Sequence, residues 1–305
     1  MESNSVSPMP ELAPIAEFDK TPPTPPEDTI PMDDLPPPPT VVTVANNSVE
    51  QEAETHRHYE EENEWGCGSW LEYTMVVVLA SVLLLGSLAL TLFWVIYYHN
   101  GFAWREDLSK QFNLHPVLMV AGFITFSGFS ILLYRICRCC RRIYVKLLHT
   151  VFHALSIPCV AIGFMAVLDT HNLKRPEAIP NFYSLHSWIG LVTMGLFAIQ
   201  FVVGFFSFLV LLCCEGATSA FRAALVPIHA SFGLTTFMLA IAACVTGLTE
   251  KVIFTLGENY EKFSEQSIIV NTLGIVFIAL GILVSYAVRI PNLRGDSMVY
   301  MDDRM

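Results

Sequence analysis

The sequence predicts an all-α fold, a bundle of six transmembrane helices. Three observations carry this expectation. Of the 305 residues, 53% are hydrophobic and only 15% charged, and the mean hydropathy is +0.50, a composition of the membrane class. Six apolar segments follow one another, each about 20 residues or more, enough to cross roughly 30 Å of hydrocarbon as a helix. They are apolar nearly all round, whereas the outer helices of a soluble bundle keep a polar face.

Taken in order, residues 1–69 are expected to be a disordered, acidic, proline-rich tail. Nine prolines fall between Thr21 and Thr40, including the run Pro36 to Pro39, and such a stretch favours polyproline II over helix. Residues 1–73 carry 16 acids against Lys20 and Arg57. The tail therefore holds the negative charge, and the remainder lacks the concentrated basic surface that nucleic acid requires. The asparagine of Asn46-Asn47-Ser48 is a glycosylation acceptor only if it faces a lumen.

The apolar segments are Thr74–Tyr98, His115–Tyr134, Leu147–Leu168, Leu185–Leu212, Leu225–Thr249 and Ser267–Val288. They belong to a transmembrane domain expected over residues 70–294, followed by a short cytosolic tail at 295–305. The loop after the second segment holds Arg135, Arg138, Arg141, Arg142 and Lys146 without an acid. The positive-inside bias places it in the cytosol. The loops after the third and fifth segments are balanced or acidic and fit the opposite face. With six spans, both termini are then cytosolic, and Arg289, Arg294 and Arg304 agree. Cys137, Cys139, Cys140, Cys213 and Cys214 gather at the cytosolic edge, where juxtamembrane thiols are acceptors for acylation.

Four histidines sit near the N-terminal ends of successive apolar segments: His115, His149, His186 and His229. An ionisable ring is costly in hydrocarbon, so four placed alike ask for a shared reason. Helix direction alternates, which puts His115 and His186 at the non-cytosolic face and His149 and His229 at the cytosolic face. Iron in haem accepts one imidazole on each side. The sequence thus predicts a four-helix core holding two b-type haems, roughly 20 Å apart at 1.5 Å of rise per residue. Full bis-histidine ligation leaves no open iron position, a pattern suited to electron transfer. His153 lies one turn after His149 on the same face and is an alternative ligand, although depth matching with His229 favours His149. The competing reading is a non-haem channel or scaffold in which the histidines only join helices. Gly122, Gly128, Gly163, Gly190, Gly195, Gly233 and Gly247 lie inside spans, where small residues allow a backbone or macrocycle to come close.

The faces carry candidate substrate residues. Arg135, Arg142, Lys146 and Arg222 precede His149 or His229 at the cytosolic edge. They suit an anionic reductant, haem carboxylates or simply topology. At the other edge stand His99 and the pair His171-Asn172; a histidine there can take a proton, its reference pKa being near 6.5.

These motifs, FNLHPVLM, LLHTVFHAL, NFYSLHSWIG, VPIHASFG and GLTEKVIF, together resemble the cytochrome b561 family of ascorbate-dependent transmembrane electron carriers. The similarity covers about Trp70 to Arg294; the long acidic tail departs from it. The resemblance implies that His115 and His186 hold the non-cytosolic haem. It implies His149, rather than His153, with His229 for the cytosolic one. It also implies that Arg135, Arg142, Lys146 and Arg222 dock cytosolic ascorbate. His99, His171, Asn172 and Phe254 would form the outer site for monodehydroascorbate or a ferric chelate. By the same resemblance Lys146, Arg142, Arg222, His99 and His171 are the catalytic candidates. A homodimer in a vesicle, endolysosomal or plasma membrane is expected. Regeneration of luminal ascorbate with little ferric reduction is the alternative within electron transfer.

Overall fold

A computed structural model describes residues 41–137 and 140–289. The remainder of the tail with its polyproline run, the expected 295–305 tail, Arg138, Cys139, Arg294 and Arg304 lie outside the described residues. The chain divides into two compact units, Met1–Tyr59 and Glu60–Met305. In the first, the described part is helical from Val41. Residues 41–69 of the expected tail fall within the bounds of helix α1, Val41–Tyr98. No proline lies between Pro39 and Pro116, so none interrupts the backbone ladder of α1.

The second unit contains the expected bundle. The elements after α1 are α2 (Leu108–Phe112), α3 (Leu114–Met119), a π-helical stretch (Val120–Phe126) and α4 (Ser127–Ile136). They continue as α5 (Arg142–Leu173), α6 (Leu185–Phe208), a 3₁₀ turn (Val210–Cys214), α7 (Glu215–Leu256) and α8 (Glu265–Arg289). Among the described residues there is no strand. Among these residues six helical stretches are long and apolar enough to span a bilayer: Trp70–Tyr98, Leu108–Ile136, Arg142–Leu173, Leu185–Cys214, Gly216–Asn259 and Glu265–Arg289. Each contains one expected segment. Helix α7 has 42 residues, or ~63 Å at 1.5 Å per residue, about twice the hydrocarbon thickness. His229 therefore lies well inside a helix rather than near its start, although it still opens the apolar part.

The second span is assembled from pieces. Asp107 caps α2 by accepting from the Ser109 and Lys110 amides. The π-helical turn widens the backbone at Gly122, whose carbonyl accepts from Ser127 Oγ at 3.0 Å and Ser156 Oγ at 2.9 Å. Two side-chain donors thus satisfy a carbonyl inside an apolar region. A Cβ at Gly122 would lie only 3.1 Å from Val160 of α5, so the glycine sets this close crossing.

Helix α6 packs along α7, α5 along α3 and α4, and α8 against α7 and α4. Helix α1 joins through Leu84, fully buried against Gly128, and through Tyr73, whose hydroxyl donates to the Arg135 carbonyl. The interior is Leu84, Ile124, Leu132, Leu273, Phe277 and Leu280, each at most 1% exposed. Outward positions are apolar too, as at Leu85, Ile199 and Ile275, the arrangement expected where lipid rather than water is the solvent.

Candidate functional site: paired histidines and an open cavity

The four expected histidines meet in two pairs. The ring centroids of His115 and His186 are 6.0 Å apart, and those of His149 and His229 are 6.3 Å apart. Local structure fixes each ring. His115 sits in the first turn of α3, where the preceding Asn113 amide ties the loop by donating to the His99 and Gly101 carbonyls. His186 follows a capping box between Ser184 and Ser187. His149 and His229 are interior residues of α5 and α7.

Three of the rings share one hydrogen-bond pattern. His115 Nδ1 lies 3.1 Å from the Gly163 carbonyl, His186 Nδ1 2.9 Å from the Ala243 carbonyl, and His149 Nδ1 3.0 Å from the Ser130 carbonyl. A carbonyl only accepts, so each Nδ1 carries the proton and each Nε2 keeps its lone pair. His229 Nδ1 is buried without a hydrogen bond. Its ring lies against Phe208 at 5.2 Å. The same contacts set the spacing of the pairs. His115 touches α5 at Gly163, about 14 residues beyond His149, and His186 touches α7 at Ala243, about 14 beyond His229. Both give a separation of ~21 Å along the helices at 1.5 Å per residue.

Glycines make the room. A Cβ on Gly247 of α7 would stand 2.7 Å from His186 Cε1, and one on Gly204 of α6 would stand 2.8 Å from His229 Cε1. Helices α6 and α7 thus exchange histidines and glycines reciprocally. Of the glycines singled out in the sequence, Gly122, Gly128, Gly163 and Gly247 are close crossings, whereas Gly190, Gly195 and Gly233 have open space. Gly204 was not anticipated; its only sequence signal is glycine in an apolar span.

A cavity of about 380 Å³ opens beside the His115–His186 pair. Its walls include Phe123, Met194, Phe254, His171, Asn181 and Lys251. His171 Nδ1 lies 3.1 Å from Asn181 Oδ1, and Asn181 Nδ2 donates to Asn172 Oδ1 at 2.8 Å. The orientation of Asn181 makes its oxygen the acceptor, so His171 Nδ1 donates and Nε2 is the free basic atom.

The family model for eukaryotic cytochrome b561 matches residues 114–255. A plasma membrane ascorbate-dependent reductase of Xenopus tropicalis is 39% identical over 223 residues, covering 72% of this chain and 76% of the relative. The chain belongs to the eukaryotic cytochrome b561 family. A lysosomal membrane ascorbate-dependent ferrireductase of Homo sapiens is 38% identical over 234 residues, 73% of this chain and 93% of the relative. A transmembrane ascorbate-dependent reductase of Mus musculus is 34% identical over 210 residues, 69% and 80% respectively.

The chain is a multi-pass membrane protein, and its family implies b-type haem. The residues present fit that group. An iron–imidazole bond of ~2 Å plus ~1.2 Å from nitrogen to ring centre, taken on both sides, requires ~6.4 Å between centroids. The observed 6.0 and 6.3 Å agree. Three Nε2 lone pairs are directed by carbonyl-bound Nδ1 atoms, the usual way a protein orients a metal-ligating imidazole.

The remaining expected site residues separate. Phe254 and His171 line the cavity, and Asn172 is tied to it through Asn181. His99 does not line it. Its ring packs against Trp94 at 4.8 Å, and its Nε2 lies 3.2 Å from Gln266 Nε2. Burial, with the Lys251 cation second, pushes His99 down to about 4, far from the reference value that suggested a proton acceptor. At the basic end, Lys146 and Arg142 lie on α5 and Arg222 on α7, all N-terminal to the His149–His229 pair. Arg135 instead donates to the Val288 carbonyl near the end of α8. His153 packs its ring on His149 at 4.6 Å and on Phe197 at 5.7 Å. Asn181 and Lys251 were missed; their signals were a polar residue before YSLH and an ionisable one inside GLTEKVIF.

Proposed function

We propose that the chain is a transmembrane ascorbate-dependent reductase holding two b-type haems, one between His149 and His229 and one between His115 and His186. The observation that carries this reading is the two imidazole pairs, each at bis-histidine spacing, ~21 Å apart on shared helices. Ascorbate as the reductant rests on its relatives, which are ascorbate-dependent reductases. The haems supply one-electron redox chemistry at coordinatively closed iron.

The chain's own residues do the rest. The carbonyls of Gly163, Ser130 and Ala243 hold three rings in the ligating tautomer. Lys146, Arg142 and Arg222 bring positive charge to the end where anionic cytosolic ascorbate docks, with Arg135 bracing α8. At the other end, in the cavity lined by His171 and Phe254, monodehydroascorbate takes one electron and a proton from His171 Nε2, whereas a ferric chelate takes the electron alone. Both termini lie in the cytosol, and the protein works as a homodimer in a vesicle, endolysosomal or plasma membrane.

Purified protein in lipid nanodiscs tests this. The expected result is the spectrum of reduced b-type haem on adding ascorbate, at about two haems per chain. Reoxidation by ferric chelate against monodehydroascorbate then separates ferric reduction from ascorbate regeneration. A folded, colourless protein would leave only the channel or scaffold reading.

A further inference from the structure

Lys251 lies near the C-terminal end of α7, in the wall of the cavity that also contains Phe112, His115 and His186. Its Nζ stands 4.3 Å from the centroid of the Phe112 ring. Among the described residues no carboxylate pairs with it; the ion pairs at this end join Arg105 to Asp169 and Lys110 to Asp107. The adjacent Glu250 accepts from the Tyr183 hydroxyl at 3.4 Å. Lys174 and His171 line the same cavity, so Glu250 is its lone acid against two lysines.

A half-buried ammonium without a counter-charge is unfavourable. Contact with an aromatic face offsets only part of what desolvation of a charge costs. The arrangement is complete when an anion enters the cavity. We infer that Lys251 is the anion-recognition residue of this cavity and takes a carboxylate or enolate oxygen. This rests on the proposed function and sharpens it: the outer acceptor is bound as an anion, either a ferric complex of a polycarboxylate or an ascorbate-class enolate radical, and not as the free ferric cation, which Lys251 repels. The same chemistry is offered by the carboxylates of a haem held between His115 and His186, and the test separates the two sources.

The full chain, haem-loaded in nanodiscs, is titrated with gallium citrate, an anionic chelate that accepts no electron, and with a neutral gallium chelate. Lys251→Gln is expected to weaken gallium citrate binding at least ~tenfold, with Lys251→Arg close to wild type and the neutral chelate unaffected. That result assigns the anion to the acceptor. If citrate binding holds but Lys251→Gln lowers the midpoint potential of one haem, the anion is the cofactor's own carboxylate, because removing a nearby cation favours ferric iron. If neither binding nor potential moves, the inference is overturned. Haem content and reduction by ascorbate, read on the same samples, report separately on the proposed function.

Discussion

His229 lies over Gly204 so closely that a Cβ there would stand 2.8 Å from its Cε1. An imidazole held by its own backbone and by the Phe208 ring cannot yield that distance without turning. Gly204→Ala is therefore expected to tilt His229 away from His149 and to lose about one of two haems per chain, measured by pyridine haemochrome assay. Gly247→Ala should do the same through His186, whereas Gly190→Ala, with open space beside it, should keep both. Full haem content in Gly204→Ala would show that the ring has room to spare.

Gly128 sets the approach of α1 to α4. A Cβ there would meet Leu84 Cδ2 at 2.5 Å, and Leu84 is fully buried. Gly128→Ala should cost ~1–3 kcal/mol as overpacking, read as a lower melting temperature of the detergent-solubilised protein. Adding Leu84→Val should restore part of the loss. Additive destabilisation by the two changes would argue against this contact.

Folded and unfolded His99 differ in proton affinity. Burial and Lys251 hold it at about 4 in the folded chain against 6.5 for the free side chain. Between those values the unfolded state binds more protons, so stability is present above 6.5 and is lost as pH falls toward 4. His99→Gln, which keeps a partner for Gln266, should flatten the decline of melting temperature between neutral pH and pH ~4. An unchanged decline would assign acid sensitivity to other groups.

Lys146 is half-buried one turn before His149. Reversing its charge should repel an anionic reductant while leaving the ligands alone. Lys146→Glu is expected to slow reduction by ascorbate ~tenfold or more, with unchanged haem content and a weaker dependence on salt. Stopped-flow absorbance checks this. Unaltered kinetics would reduce Lys146 to a determinant of topology.

The six spans and the pairing of the four histidines were legible in the sequence. Hydrocarbon imposes helix, length and near-uniform apolarity on each span, and alternating direction then sorts residues at span starts onto two faces. The start of α1 was not legible, because acidic composition reads as solvated chain while the end of the proline run permits helix. What only tertiary structure decided is everything that depends on which atoms meet across helices. It set Gly204 beneath His229, carried His99 away from the cavity to Gln266, turned Arg135 onto Val288 and left Lys251 facing Phe112 with no ion-pair partner among the described residues. A chain reports the depth of each residue through its own hydropathy, but its rotation toward a neighbour is fixed by packing between segments far apart in sequence.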